Sequence, residues 1–343
     1  MRRLGILFGG KSGEREISLM SAASVIRAME HSRFTLVPIG ITKSGEWLLY
    51  DGSPELIETG QWEREGKRFD IGSLRQHIDI ALPILHGPYG EDGTIQGLFE
   101  MLDIPYCGCG VLASALAMDK IASKQVFEQA GLPVCTYTWL PGERLVDHLE
   151  EEIQRIEEQI PYPVFVKPSN MGSSVGISKA KDREGLREAL LLAAKYDRRI
   201  LIEEGIPCQE YEAGVIGNYG NRVSVIGEIL PSQEFYDYKA KYFDGGKSRM
   251  CIPAEITPDL AQELRLLASK AYEAIDGAGF ARVDFFRDRG NGRIYINEIN
   301  TIPGFTSFSM FPLLWREAGL EYGELIERIV DLGYERYHAK NNR

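Results

Sequence analysis

Residues 166–176 read VKPSNMGSSVG: the end of an apolar strand that delivers a lysine, then a loop of small residues. Glycines let backbone N–H groups approach phosphate oxygens, the serines add hydroxyl donors, and Lys167 supplies charge. Taken alone, the same segment also reads as a surface hairpin. Its flanks give it a setting. Residues 162–166 have a strand pattern, 183–195 a helical one and 199–204 a second strand, enough for a small α/β unit.

Toward the N-terminus, the compact apolar run 4–8 is closed by Gly9-Gly10 and followed by an amphipathic helix over 17–29. Strands follow at 36–41 and 78–85, and a helix at 95–101. Strand, glycine turn, helix, strand marks a parallel sheet with crossovers. The polar, irregular stretch 47–75 reads as an elaboration of that domain. A helix over 114–129 stops at Gly131 with Pro133 just beyond, which places the first boundary nearby. The expectation is an α/β protein of three units: 1–122 with a Rossmann-like parallel sheet, 123–212 with the Gly/Ser loop, and 213–343.

A second nucleotide motif competes with the loop. Gly5 to Ser12, GILFGGKS, satisfies G-x-x-x-x-G-K-[ST]. In a true P-loop the four middle residues wrap the phosphate, but three of them here form the apolar end of a strand. The alternative is a tight strand-to-helix turn whose amides still face an anion and which presents Glu14, Arg15 and Glu16.

Toward the C-terminus, strand patterns at 213–217 and 224–229 precede a Tyr/Lys-rich loop at 235–247, a helix at 261–274, and strands at 281–287 and 293–299. Alternation puts Arg282 and Asp284 on one face, and Ile294, Ile296, Glu298 and Asn300 together on one face of the next strand. The turn at 288–292 implies antiparallel pairing, which brings Arg282 and Asp284 beside Glu298. Two carboxylates and a carboxamide suit Mg²⁺ shared with nucleotide phosphates, and the plainer alternative is an Arg–carboxylate network. The following turn, 301–307, has amides that could bind a carboxylate.

The chain has 343 residues, 44% of them apolar, with 39 basic and 50 acidic residues for a net charge of −11. That size implies two to three domains, and the acidic excess disfavours nucleic-acid or membrane partners. The five cysteines, Cys107, Cys109, Cys135, Cys208 and Cys251, form no C-x-x-C pair and read as idle thiols. The apolar run after Met1-Arg2-Arg3 is too short for a signal peptide, so a cytoplasmic location is expected.

The ordered set of motifs resembles the D-alanine–D-alanine ligase family of the ATP-grasp superfamily. It comprises GGKSGEREISL (9–19), LHGPYGEDGTIQG (85–97), MDK (118–120), VKPSNMGSSVGISK (166–179) and the acidic stretch 203–212. It continues with YDYKAKY (236–242), ARVDFF (281–286) and NEINTIPGFTS (297–307), in family order across nearly the whole chain. The resemblance implies ATP, two Mg²⁺ (or Mn²⁺), two D-alanine substrates, peptidoglycan precursor synthesis and a homodimer. It implies that Lys120 and Lys167 contact the ATP phosphates under the loop carrying Ser174. Glu203, Glu204 and Ile206 would meet adenine, Glu210 the ribose, Phe235 and Phe286 the purine faces, and Lys241 the γ-phosphate. Asp284, Glu298 and Asn300 would hold the metals.

On the substrate side, the resemblance implies that Glu14 takes the first D-alanine's ammonium, with His86 nearby. Arg282 and the Gly304 amide would stabilise the oxyanion, and Ser309 and the Met310 amide would hold the second carboxylate. A Glu14–Ser173–Tyr242 hydrogen-bond set would lock the 235–247 loop as a lid. Ligases making D-alanyl-D-lactate or D-alanyl-D-serine share most of these motifs. Tyr242 and the uncharged Met310 resemble the D-alanine type. Another ATP-grasp ligase and a non-catalytic regulator on the same scaffold are the remaining alternatives.

Overall fold

The computed structural model describes residues 1–230 and 249–341. Strand β1 (Arg2–Gly9) is buried from Leu4 onward, as its continuous apolar run requires for a strand covered on both faces. It ends in a turn with φ of +87° at Gly9 and +94° at Gly10. A Cβ at Gly9 would lie 2.3 Å from the Ile41 carbonyl oxygen, so only glycine fits. Helix Arg15–Ala28 then crosses over to β2 (Phe34–Ile41), which is parallel to β1. The polar 47–75 stretch contributes two short antiparallel strands, β3 (Trp47–Leu49) and β4 (Lys67–Arg68). It also buries Trp62 against Phe8, ring centroids 4.9 Å apart. Strand β5 (Ile80–Ile84) pairs parallel on the other side of β1, giving the order β4-β3-β2-β1-β5. The expected parallel sheet with a helical crossover is thus present.

The second sheet is antiparallel: β6 (Tyr137–Pro141), β7 (Val164–Pro168), β8 (Ser178–Ala180) and β9 (Arg199–Glu204) in the order β6-β9-β7-β8. Helices Leu149–Gln159 and Arg183–Ala193 bury Ile153, Ile156, Leu186 and Leu190 against Val164, Val166, Ile200 and Ile202. The third sheet orders β10 (Cys208–Ile216), β11 (Arg222–Leu230), β12 (Arg249–Cys251), β13 (Phe280–Asp288) and β14 (Ile294–Asn300) as β12-β11-β10-β13-β14. Helix Pro258–Ala274 lies on it, started by Pro258 and by the Thr257 hydroxyl, which accepts from the Leu260 amide.

Three departures from the expectations bear on the site and the first core. The helix expected over 114–129 is two helices, Val111–Met118 and Lys120–Gln129. Between them Asp119 is extended and caps the second, accepting from the Ile121 and Ala122 amides; apolar periodicity runs across the break because both helices face one core.

Strand β14 does not keep its alternation. Asp284 pairs with Glu298 but Phe285 pairs with Ile296, leaving Asn297 as an extra residue. This bulge puts Ile294, Ile296 and Ile299 in the helix-covered core and turns Glu298 and Asn300 to the opposite face. Finally, helix Tyr322–Asn341, absent from the sequence reading, returns to the first sheet. Its Leu325, Ile326, Ile329 and Val330 share a core with Leu4, Ile6 and Phe8.

Candidate active site

The second and third sheets face each other across a cavity of about 510 Å³. The strand end of β7 delivers Lys167 to it, and neighbouring β9 delivers Glu203 and Glu204. Ile206, Glu210, Phe286, Ser174 and Lys120 also line it, so most of the expected nucleotide set converges here. Lys167 Nζ donates to Glu203 Oε2 at 2.5 Å, and Lys124, which the sequence did not single out, is ion-paired to Glu203 Oε1. Burial opposes the charge on Glu203, but the Lys124 and then the Lys167 ammonium outweigh it and hold the carboxyl down at about 2. Burial likewise opposes the charge on Lys167, and Glu203 reverses the effect and raises its pKa.

The loop after β7 is fastened at its base by Asp119. That carboxylate accepts from Ser169 Oγ (2.7 Å), Asn170 Nδ2 (3.0 Å) and Arg199 Nη1 (2.6 Å) while capping the helix that carries Lys120 and Lys124. At the loop's crest Ser173 and Ser174 take left-handed φ of +49° and +60°, a conformation costly for serine and held by its contacts. One of these contacts is the hydrogen bond from Ser173 Oγ to Glu14 Oε1, which joins the loop to the first sheet's glycine turn. Lys120 Nζ donates to the Met171 carbonyl at 2.8 Å and stands 3.5 Å from Glu298 Oε2.

A smaller cavity of about 70 Å³ adjoins the first and shares Lys120, Ser173 and Glu298 with it. Glu14, His86, Arg282 and Gly304, expected around the first substrate and the oxyanion, line it together with Asn300, expected at the metals. Ideal Cβ atoms on Gly87 and Gly172 would fall 2.3 and 2.4 Å from Glu14 Oε2, so both glycines make room for this carboxylate. Arg282 grips Asp284 with two bonds, Nε to Oδ1 at 2.6 Å and Nη2 to Oδ2 at 2.7 Å, and reaches Glu212 Oε2 at 2.8 Å. Asn300 Nδ2 donates to Asp284 Oδ2 at 3.1 Å. Asp284, Glu298 and Asn300 therefore share one sheet face through the β14 bulge, and their hard oxygens suit Mg²⁺ or Mn²⁺. Among the described residues no group of three or more Asp, Glu, His or Cys forms a metal cage by itself. A cation here would draw the rest of its shell from phosphate oxygens and water.

His86 is buried, with Nδ1 donating to the Ile302 carbonyl (2.8 Å) and Nε2 accepting from Ser21 Oγ (3.1 Å). Burial pushes its pKa down to about 4, so the ring is neutral at pH 7. Glu91 also lines the small cavity and accepts from the Gly87 and Ile302 amides at 3.2 Å each. Burial, then the nearby Glu14, raises its pKa well above the usual carboxylate value. The sequence carried Glu91 inside its HGPYGEDG motif without giving it a role.

Ser309 and Met310 line neither cavity. The Ser309 hydroxyl lies 2.6 Å from that of Thr306, and Met310 packs with Ile229 and Leu314. Phe235, Lys241 and Tyr242 lie outside the described residues, as does the 235–247 lid. The GKS lysine, Lys11, is exposed and lines neither cavity, with the first five residues of its motif inside β1. Burial raises the thiol pKa to about 11 at Cys109 and about 12 at Cys135, in keeping with idle thiols. No described helix is long and apolar enough to cross a membrane.

Family models described as D-ala D-ala ligase N-terminus and C-terminus match residues 3–109 and 126–331. The chain is 49% identical to the D-alanine–D-alanine ligase of Thermoanaerobacter sp. (strain X514), over 99% of this chain and 98% of that one. It is 47% identical to the Acetivibrio thermocellus enzyme of the same name, over 98% and 97%. Among solved structures, the VanG D-Ala:D-Ser ligase from Enterococcus faecalis superposes with a TM-score of 0.88 at 34% identity, over 97% of this chain and 99% of that one. The D-alanine–D-alanine ligase from Coxiella burnetii gives 0.87 at 29%, over 99% and 96%. The chain belongs to the D-alanine–D-alanine ligase family, and its fold is that family's ATP-grasp fold.

Proposed function

We propose that the larger cavity takes ATP and the smaller one the first D-alanine, with phosphoryl and carboxyl groups meeting where the two share Lys120, Ser173 and Glu298. That shared wall is the observation that carries the assignment. The reaction is the family's: an ATP-dependent joining of two D-alanines into D-alanyl-D-alanine for peptidoglycan precursor synthesis.

A carboxylate is a poor acylating agent. Its oxygen therefore attacks the γ-phosphorus, ADP leaves, and D-alanyl phosphate forms. The neutral amine of the second D-alanine then attacks the acyl carbon; phosphate leaves, and the nitrogen loses a proton. Positioning and charge neutralisation do most of the work in phosphoryl transfer. Lys120 and Lys167, with Lys241, neutralise phosphate charge, and Ser174 adds a donor. Glu203, Glu204, Ile206 and Phe286, with Phe235, frame adenine, and Glu210 takes the ribose. Glu14 holds the first ammonium beside the neutral His86, and Arg282 with the Gly304 amide meets the oxyanion. Asp284, Glu298 and Asn300 would hold two Mg²⁺ or Mn²⁺, which supply further charge neutralisation at the phosphates. Tyr242, through Ser173 and Glu14, would lock the 235–247 lid and exclude water from the acyl phosphate. Ser309 and the Met310 amide take the second carboxylate once that substrate enters. Units 1–122, 123–212 and 213–343, a cytoplasmic location and a homodimer complete the proposal, on the family resemblance.

D-alanine is favoured over D-serine or D-lactate as second substrate, since the full-length relatives at 47–49% identity are D-alanine–D-alanine ligases and Met310 is uncharged, as the D-alanine type would have it. A phosphate-release assay with ATP, Mg²⁺ and D-alanine alone, then with D-serine or D-lactate added, tests this. Turnover with D-alanine alone is expected, and its absence would sink the assignment.

A further inference from the structure

Lys124 has no part in the roles assigned above, yet it is among the most deeply buried charges described. It follows Lys120 by four residues, on the same face of helix Lys120–Gln129, and its side chain is 1% exposed. Its ammonium is ion-paired to one oxygen of Glu203 while Lys167 takes the other. The Tyr137 ring centroid lies 5.9 Å from the Lys124 nitrogen. Two ammoniums thus flank one carboxylate, and the three groups sum to +1. If Glu203 served only to neutralise Lys167, that pair would be complete alone, and burying another lysine would add desolvation cost for nothing.

We propose that Lys124 is a positioning residue for phosphate binding: it holds Glu203 throughout, so that Lys167 can turn from Glu203 to the nucleotide's phosphate oxygens. The inference rests on reading the larger cavity as the ATP site. The two lysines are not equivalent. Lys124 sits inside a helix whose start is pinned by Asp119, whereas Lys167 ends a strand, is 10% exposed and lines the cavity. Without Lys124, drawing Lys167 toward phosphate would strip a buried carboxylate of its counter-charge and offset the gain at the phosphate. With Lys124 in place, Glu203 keeps an opposite charge at every stage. The cavity then presents one uncompensated positive charge to an entering anion.

The test is calorimetric titration of the full chain with adenosine and with ADP, which differ only in phosphate. Lys124→Met keeps the apolar stem and removes the charge. ADP is expected to bind it on the order of tenfold more weakly than the wild type, the scale of one charge-assisted contact, with adenosine within about twofold. Lys124→Arg, which keeps the charge, is expected to retain the wild-type ratio of the two affinities. If the methionine variant does not fold, Lys124→Gln is read in its place. Unchanged ADP affinity without the Lys124 charge overturns the proposal, as does an equal loss of both ligands, which would mark Lys124 as a packing residue. A wild-type chain that binds neither ligand would instead overturn the nucleotide reading of the cavity.

Discussion

Gly172→Ala separates the two cavities energetically. A Cβ at this position would stand 2.4 Å from Glu14 Oε2, 3.0 Å from Cδ and 3.1 Å from Oε1. Real Cβ contacts do not fall below 3.0 Å, so the carboxylate must retreat by about 0.6 Å or more in a packed site. Retreat pulls Glu14 from the Ser173 hydroxyl, a hydrogen bond to a charged group of the kind worth about 1.5–3 kcal/mol. It also misplaces the oxygens proposed to receive the substrate ammonium. The expected result is a roughly ten- to hundredfold fall in kcat/KM for D-alanine. ATP affinity should stay within about twofold, because the Lys167–Glu203 end of the larger cavity is untouched. Gly131→Ala is the control: its φ is +70° with no atom within 4 Å of the new Cβ, so it should cost about 1 kcal/mol of stability and leave kinetics alone. Steady-state kinetics against each substrate, with calorimetric melting, decide the matter. A parallel fall in ATP affinity, or an unchanged kcat/KM for D-alanine, would refute the link between Gly172, Glu14 and the first substrate.

His86 binds a proton at about pH 4 when folded and near 6.5 when unfolded. Its stabilising share is therefore full above pH 6.5 and is lost as pH falls toward 4, in total on the order of 3 kcal/mol. Melting curves of wild type and His86→Gln from pH 7 to 4 should converge by about that amount; the oppositely shifted Glu91 is common to both, and parallel curves would exclude this role for His86. Asp119→Ala removes a helix cap worth about 1 kcal/mol and the partner of the part-buried Arg199, and should lower the melting temperature measurably. Lys11→Ala, at the exposed GKS lysine, should leave ATP turnover and melting unchanged; loss of turnover would restore the P-loop reading.

Local rules made much of this protein readable. The glycine turn after β1, the Gly/Ser loop after β7 and the antiparallel β13–β14 pair each follow from period, turn chemistry and strand length. The pairing of Asp284 with Glu298 could be anticipated from the tight turn between them. What escaped was decided by single residues or by distant contacts. Asp119 splits a helix whose apolar pattern runs straight through it. Lys124 gains its meaning only when Glu203, on a strand far along the chain, is brought against it. Helix Tyr322–Asn341 leaves its own neighbourhood to finish the first core, which no local pattern signals.

The β14 bulge matters most for function. With strict alternation Glu298 would share a face with Ile296 and point into the core under helix Pro258–Ala274, where a carboxylate has no partner and no access to phosphate. The extra residue, Asn297, reverses the parity and delivers both Glu298 and Asn300 to the side of Arg282 and Asp284. A sequence read by period two alone therefore places these two side chains on the wrong face. One residue that breaks the ladder lets a strand be apolar along one half of its length and carry candidate metal ligands at its end.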